Sequence, residues 1–270
     1  EAYEAIAPHD GEEVFMVITP GGRVYLKGAA AMDETDKSVY EEFNRNTKRS
    51  GEGNLAGGGS AKLHIDKERL DIDDPEVIPL DGIRRKDSGI KSGPKAAFLG
   101  ELKHLFPDHV ARGVVVPFGA YYDHYRNAKV IVPKGLGNAG IGKDGETLPE
   151  FAARSYGEFF DELVPSNPGQ AKLTAWIQPR LDIIRHTLQE TPLSPALKAA
   201  IRDRLDAEGL LLPDDKSQTV GCFVRSDTNV EDQDNFNGAG LNLTIFNLKS
   251  LDDIYRGLKD VWASPFTYRP

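Results

Sequence analysis

Cysteine is almost absent: Cys222 stands alone among 270 residues. A single cysteine forms neither an intrachain disulfide nor a cysteine-rich metal site. The expectation is a reducing compartment, the cytoplasm. Long apolar runs are missing too. Nothing approaches the roughly 18 consecutive apolar residues of a membrane helix, and no basic-then-apolar leader follows Glu1. Both ends, Glu1 and Phe266 to Pro270, read as internal to something longer. Positive charge is scarce. Lys and Arg number 33 against 42 Asp and Glu, a net charge of −9. That excludes a broad nucleic-acid surface, which needs clustered cations. It leaves room for a small anion site, because a few local cations and backbone N–H groups hold a phosphate inside an acidic protein.

What is present fits a globular protein of one large domain or two modest ones, with 39% hydrophobic and 28% charged residues. Near the start, Val14–Ile18 and Arg23–Leu26 flank Pro20-Gly21-Gly22 and predict a hairpin. A short helix is expected around Lys37–Phe43. The stretch Ser50–Ser60 is glycine-rich, lacks the Lys-Ser/Thr ending of a P-loop and reads as a linker. Short extended segments at 62–65 and 77–80 precede a charged stretch, and a boundary falls at 85/86. It separates a small β-rich N-terminal segment, 1–85, from a larger domain, 86–270.

Beyond the boundary the pattern turns helical. Phe98, Leu99, Leu102, Leu105 and Phe106 recur as one apolar helix face, which Pro107 stops. Helices are expected from 120, over 148–164, 170–188 and 195–209, and from Leu251 to Trp262 with Ser250 as N-cap. Strands are expected at 113–117 and 219–224, and Gly135–Gly145 is a second glycine-rich loop. The alternation predicts an α/β or α+β fold with a mixed sheet and flanking helices.

Four segments carry chemistry. In Ser92–Leu102, Gly93 permits a close backbone approach, Pro94 suits a first helical turn, and Lys95 sits where a helix end attracts phosphate. Gly113–Ala120 reads as a strand and proline turn. Gly221–Asp232 delivers Arg225 and Ser226 at a strand end, where an Arg fork suits a phosphate. Asp227, Glu231 and Asp232 follow, able to orient that Arg or to hold Mg²⁺ through water. Phe236–Asn247 places Gly238 and Gly240 where backbone N–H groups can cover phosphates.

In order, these read Gly-x-Lys-Ala-Ala-x-Leu-Gly-Glu-Leu, Gly-Val-x-Val-Pro-x-Gly, Val-Arg-Ser-(x)4-Glu-Asp, a Phe-x-Gly loop with Thr-Ile-Phe-Asn, and a helix ending Val-Trp-Ala-Ser. The series resembles the N-terminal ATP-binding part of the phosphoenolpyruvate synthase and pyruvate phosphate dikinase family, over about residues 88–270. The resemblance implies the first lobe of an ATP-grasp-like fold. It also implies an ATP-dependent phosphotransferase that passes phosphate to a histidine on a mobile domain, and from there to pyruvate or a glucan. Lys95 and Arg225 would contact ATP phosphates, with Gly238 and Gly240 closing over them and Ser226 and Glu231 nearby. Mg²⁺ is implied as well, its ligands coming from a second lobe and none from this chain.

The sequence departs from the family in several places. Pro94 stands where a second Gly is usual, and the loop after Phe236 is longer by about two residues. The acceptor motif Thr-x-Gly-Gly-x-x-Ser-His is missing, and Gly58–His64 does not reproduce its spacing. His9, His104, His109, His124 and His186 show no ligand spacing and read as satisfied or exposed side chains. Alternatives remain in a glucan/water-dikinase-like carbohydrate kinase, a non-catalytic nucleotide-binding relative, and an α/β interaction domain.

Overall fold

A computed structural model describes residues 14–18, 24–28, 34, 67–136, 140–210, 221–229 and 243–267. The chain forms two compact units, Glu1–Lys62 and Leu63–Pro270. In the first, β1 (Val14–Ile18) and β2 (Val24–Gly28) pair antiparallel, with Val14 opposite Gly28 and Ile18 opposite Val24. This is the hairpin expected around Pro20-Gly21-Gly22. The helix expected at 37–43, the linker at 50–60 and His64 lie outside the described residues.

The second unit is helices with small sheets, within the expected fold class. Strand β3 (Ile78–Pro79) pairs antiparallel with β4 (Val114–Val115). Between them runs α1 (Pro94–Leu105), and after β4 comes α2 (Phe118–Asn127). Helix α3 (Leu148–Gly157) begins at a capping box, in which Thr147 and Glu150 exchange backbone and side-chain hydrogen bonds. It continues through a π-helical turn, Glu158–Leu163, and a 3₁₀ turn, Val164–Ser166. Helix α4 (Gln170–Glu190) follows. Pro179 lies inside it, so the Ala175 carbonyl has no amide to meet at the next turn. Helix α5 (Pro195–Ala207) starts at Ser194, whose hydroxyl accepts from Leu197 N.

The antiparallel pair β5 (Cys222–Arg225) and β6 (Thr244–Leu248) lies on α6 (Leu251–Ala263). Ser250 caps α6, accepting from Asp253 N at 3.1 Å, as its position in the sequence predicts. Asn247 adopts a left-handed φ of 61°, and the backbone there comes so close to Gly221 that a Cβ on Gly221 would lie 2.4 Å from Asn247 C. Only glycine fits that position.

Among the described residues, two larger apolar cores hold helices α2 to α6. One joins Leu197, Ile201 and Leu205 of α5 to Ile254 and Leu258 of α6, with Val224 and Leu248 of the sheet packed on it. The other joins Leu148 and Phe151 of α3 to Ile183, Ile184 and Leu188 of α4 and Ala263 of α6. His124 is buried beside this second core, with Nε2 3.0 Å from the Leu188 carbonyl and its ring 5.2 Å from that of Trp262. Burial holds its pKa below the usual histidine value. The glycine-rich 135–145 loop is tied down at its end. Arg154 donates to both Glu146 carboxylate oxygens at 2.8 Å and to the Ile141 carbonyl at 2.7 Å. Glu158 then bridges Arg154 and Arg180, each at 2.9 Å. Among the described residues, no helix is long and apolar enough to cross a membrane.

The apolar face read on α1 is not the one the helix buries. Phe98, Leu99, Leu102, Leu105 and Phe106 are all exposed, between 37% and 57%. The buried residues are Pro94, Ala97 and Gly100, one small-residue stripe at i, i+3, i+6. The reason is close approach: a Cβ on Gly100 would sit 2.3 Å from Ile83 Cγ2 and 2.6 Å from the Leu80 carbonyl. The helix backbone therefore rests directly on the turn at 80–83, over a small core of Leu80, Ile83 and Val115. The larger side chains are left outside, with the Arg85 guanidinium 5.5 Å from the Phe98 ring centroid.

Candidate nucleotide site

The site is built on the start of α1. The first turn of a helix leaves backbone N–H groups without partners inside the helix. Gly93, at the N-cap, has no side chain to offer them. Asp227 supplies the missing acceptor from 132 residues away: Lys95 N donates to its Oδ1 at 2.9 Å and Ala96 N to its Oδ2 at 3.2 Å. A carboxylate is favoured there by the positive end of the helix dipole as well as by the two hydrogen bonds.

Asp227 follows directly on the end of β5. Arg225 is the last residue of that strand, opposite Thr244 of β6, and its side chain is exposed. Ser226 N donates to the Leu243 carbonyl at 3.1 Å, which fixes the chain leaving the strand. The start of the Lys95 helix and the end of the Arg225 strand are thus in direct contact. The second segment joins them, since Phe118 N donates to the Lys91 carbonyl at 2.9 Å. Gly119 crosses Asp74 so closely that a Cβ would lie 2.2 Å from the Asp74 carbonyl oxygen. Lys91 anchors the near side of that crossing, donating to Asp74 at 3.0 Å and lying 3.6 Å from Asp71. The Glu76 amide and then Lys91 hold the Asp74 carboxyl below its usual pKa, and Asp74 raises that of Lys91.

Two polar atoms at the junction lack partners among the described residues. Ser226 is 4% exposed, and its Oγ and the buried Oγ1 of Thr228 have no hydrogen-bond partner. Buried hydroxyls are usually paired, so two orphans flanking one carboxylate mark a place where a ligand oxygen or a water is expected.

Two expectations are revised here. The amides at the start of α1 face Asp227, a protein carboxylate occupying the position envisaged for phosphate. And Gly93 makes its close approach to the chain itself, since a Cβ would lie 2.5 Å from Asp227 Oδ1 and 2.7 Å from the Thr228 carbonyl oxygen. Glu231, Asp232, Gly238 and Gly240 lie outside the described residues. Among the described residues no group of three or more His, Cys, Asp or Glu side chains is placed to hold a metal.

Residues 92–270 match the family model described as pyruvate phosphate dikinase, AMP/ATP-binding domain. The chain belongs to that family. The match covers all three segments that meet at the junction and starts at Ser92, one residue before the Gly93 that the Asp227 contact requires. No curated protein and no solved structure matched the chain. Membership in the pyruvate phosphate dikinase family carries AMP/ATP binding as the domain's property. In the sequence Asp227 reads as an acidic residue able to orient Arg225 or to hold Mg²⁺ through water. What identifies it as the bridge to α1 is a helix N-cap at Gly93 that has no side chain of its own.

Proposed function

We propose that this chain contributes the first lobe of an ATP-dependent phosphotransferase, a kinase or dikinase of the pyruvate phosphate dikinase class. In this reading it holds ATP with Mg²⁺ for transfer of phosphate to a histidine on another domain, and on to an acceptor such as pyruvate. The functional domain is taken as residues 86–270, preceded by a separate module at 1–85, and the protein as cytoplasmic. The observation that carries the proposal is the contact between the Lys95 helix start and the Arg225 strand end, within the matched region.

Phosphoryl transfer depends mainly on positioning and on neutralising charge. Lys95 and Arg225 are the two cations for the phosphate oxygens, Arg225 with a fork of donors and Lys95 as a point charge. Ser226 Oγ, buried and without a partner, suits a ligand oxygen. Gly238 and Gly240 are proposed to supply backbone N–H groups, and Glu231 to orient the metal, whose ligands would come from a second lobe. ATP with Mg²⁺ supplies the transferable phosphoryl group, while the residues of this chain bind and orient it.

Calorimetric titration of the chain with ATP and Mg²⁺ tests the proposal. Arg225→Ala is expected to weaken binding by about 2–3 kcal/mol, roughly 30- to 150-fold, the scale of a lost charge-assisted hydrogen bond. Equal affinities for the variant and the unaltered chain would remove Arg225 from the site.

A further inference from the structure

We propose that Asp227 is a positioning residue for the nucleotide. It never touches the phosphates; it sets the place of Lys95 relative to Arg225 and reserves the helix amides for the protein. The inference rests on the nucleotide-binding function proposed above.

Four observations support it. Asp227 engages two consecutive amides, Lys95 N and Ala96 N, one with each carboxylate oxygen. That two-point contact fixes the carboxylate's orientation as well as its distance. Second, Gly93 leaves the space the carboxylate fills, since any Cβ there would collide with Oδ1. The φ of Gly93 is −79°, open to every residue, so the position demands small size and no special backbone freedom. Third, the chain on the other side of Asp227 is fixed by the Ser226 N to Leu243 O bond and by the Arg225–Thr244 pairing. The path from the α1 backbone to the Arg225 backbone is therefore short and held at both ends. Fourth, Ser226 Oγ and Thr228 Oγ1, the orphaned hydroxyls, flank Asp227 in sequence. Open polar capacity sits beside the clamp, while the amides of the clamp itself are taken.

The consequence is a division of labour. Helix amides commonly hold phosphate directly. Here those of Lys95 and Ala96 are engaged by Asp227, so the side chains of Lys95 and Arg225 carry recognition, and the clamp fixes the span between the elements that bear them. Small misplacements of such groups are costly; in catalysis about 1 Å can cost on the order of a hundredfold in rate.

The sign of the effect separates this role from its rival. Asp227 is an anion beside a site for a polyanion, so removing its charge should tighten ATP binding if it merely competes or repels. A positioning residue gives the opposite. Asp227→Asn and Asp227→Ala are made in the full chain, with ATP–Mg²⁺ affinity read by calorimetry, fold by thermal unfolding, and Lys95 and Ala96 amide protection by hydrogen exchange. The expected result is loss of protection at those two amides and ATP affinity weakened on the order of three- to thirtyfold in Asp227→Ala. Asp227→Asn, which keeps an acceptor oxygen, is expected in between and serves as the folded comparison. Unchanged or tighter ATP binding in a folded Asp227→Asn chain overturns the inference while leaving the nucleotide function standing. Failure of the unaltered chain to bind ATP–Mg²⁺ overturns both.

Discussion

Gly93 is a residue whose identity is set by two neighbours. Both the Asp227 carboxylate and the Thr228 backbone carbonyl stand where its Cβ would go, at 2.5 and 2.7 Å. A carboxylate can swing aside, but a backbone carbonyl moves only with the chain that carries it. Gly93→Ala is therefore expected to cost about 1–3 kcal/mol, the usual scale of overpacking, read as a lowered midpoint in chemical denaturation. A midpoint equal to that of the unaltered chain would mean that the junction is looser than described. At this scale the sequence marks candidate residues by type and spacing and is silent about what they touch. Gly93, Lys95, Arg225 and Ser226 stand out by type and spacing, yet the partner of the Gly93 turn lies more than 130 residues away, at Asp227. Contacts over that separation are made by the fold, and local pattern carries no record of them.

Among the elements, α1 shows how a helix can dock by its smallest residues. Its larger apolar side chains satisfy the periodicity expected of a buried face, but Pro94, Ala97 and Gly100 make the contact. Periodicity reports which residues share a face; which face is buried depends on how near the neighbouring backbone can come, and at Gly100 that distance admits no side chain. Gly100→Ala gains helix propensity of about 1 kcal/mol, yet its Cβ would fall 2.5 Å from the Ile83 carbonyl oxygen. The collision is expected to win. The variant should unfold at a lower temperature, and because α1 also carries Lys95, it should bind ATP–Mg²⁺ less well. A rise in the melting midpoint would show that the helix can lift off the 80–83 turn freely. Elements with local signals were legible from sequence. Helices α3, α4 and α5 fall close to their expected spans, and Ser250 caps α6 as predicted. The π-helical turn at 158–163 has no such local signature, and the sequence pattern predicts a helix running straight through it.

For the molecule as a whole, stability should decline in acid, in two steps of the same sign. His124 is buried with its pKa lowered, so the unfolded chain takes up its proton first, and stability falls as pH drops below about 6.5. Glu146 and Glu158 have lowered pKa values. Arg154 is the main cause for Glu146; for Glu158 burial opposes the shift, and Arg180 and Arg154 outweigh it. Their contribution is complete above the ordinary glutamate value of about 4.5 and is lost as pH falls through their lower folded values. Thermal midpoints measured from pH 8 to 3 should fall across both windows, and His124→Gln should remove the upper step. A profile flat between pH 7 and 5 in the unaltered chain would contradict the burial of His124.

The proline inside α4 has a consequence for how this unit moves. The rung between Ala175 and position 179 is absent, so the long helix has a built-in joint. Trp176 lies on its N-terminal side with Phe159 beside it, while Arg180, whose guanidinium is 3.6 Å from the Trp176 ring centroid, lies on the C-terminal side with Ile183, Ile184 and Leu188 of the second core. Arg180 spans the joint, donating to the Trp176 carbonyl at 3.0 Å and to Glu158 at 2.9 Å, so the first half could swing relative to the packed half only against those contacts. The only other tryptophan, Trp262, sits against His124 and Tyr121 near that fixed half, so the two indoles should depolarise emitted light at different rates.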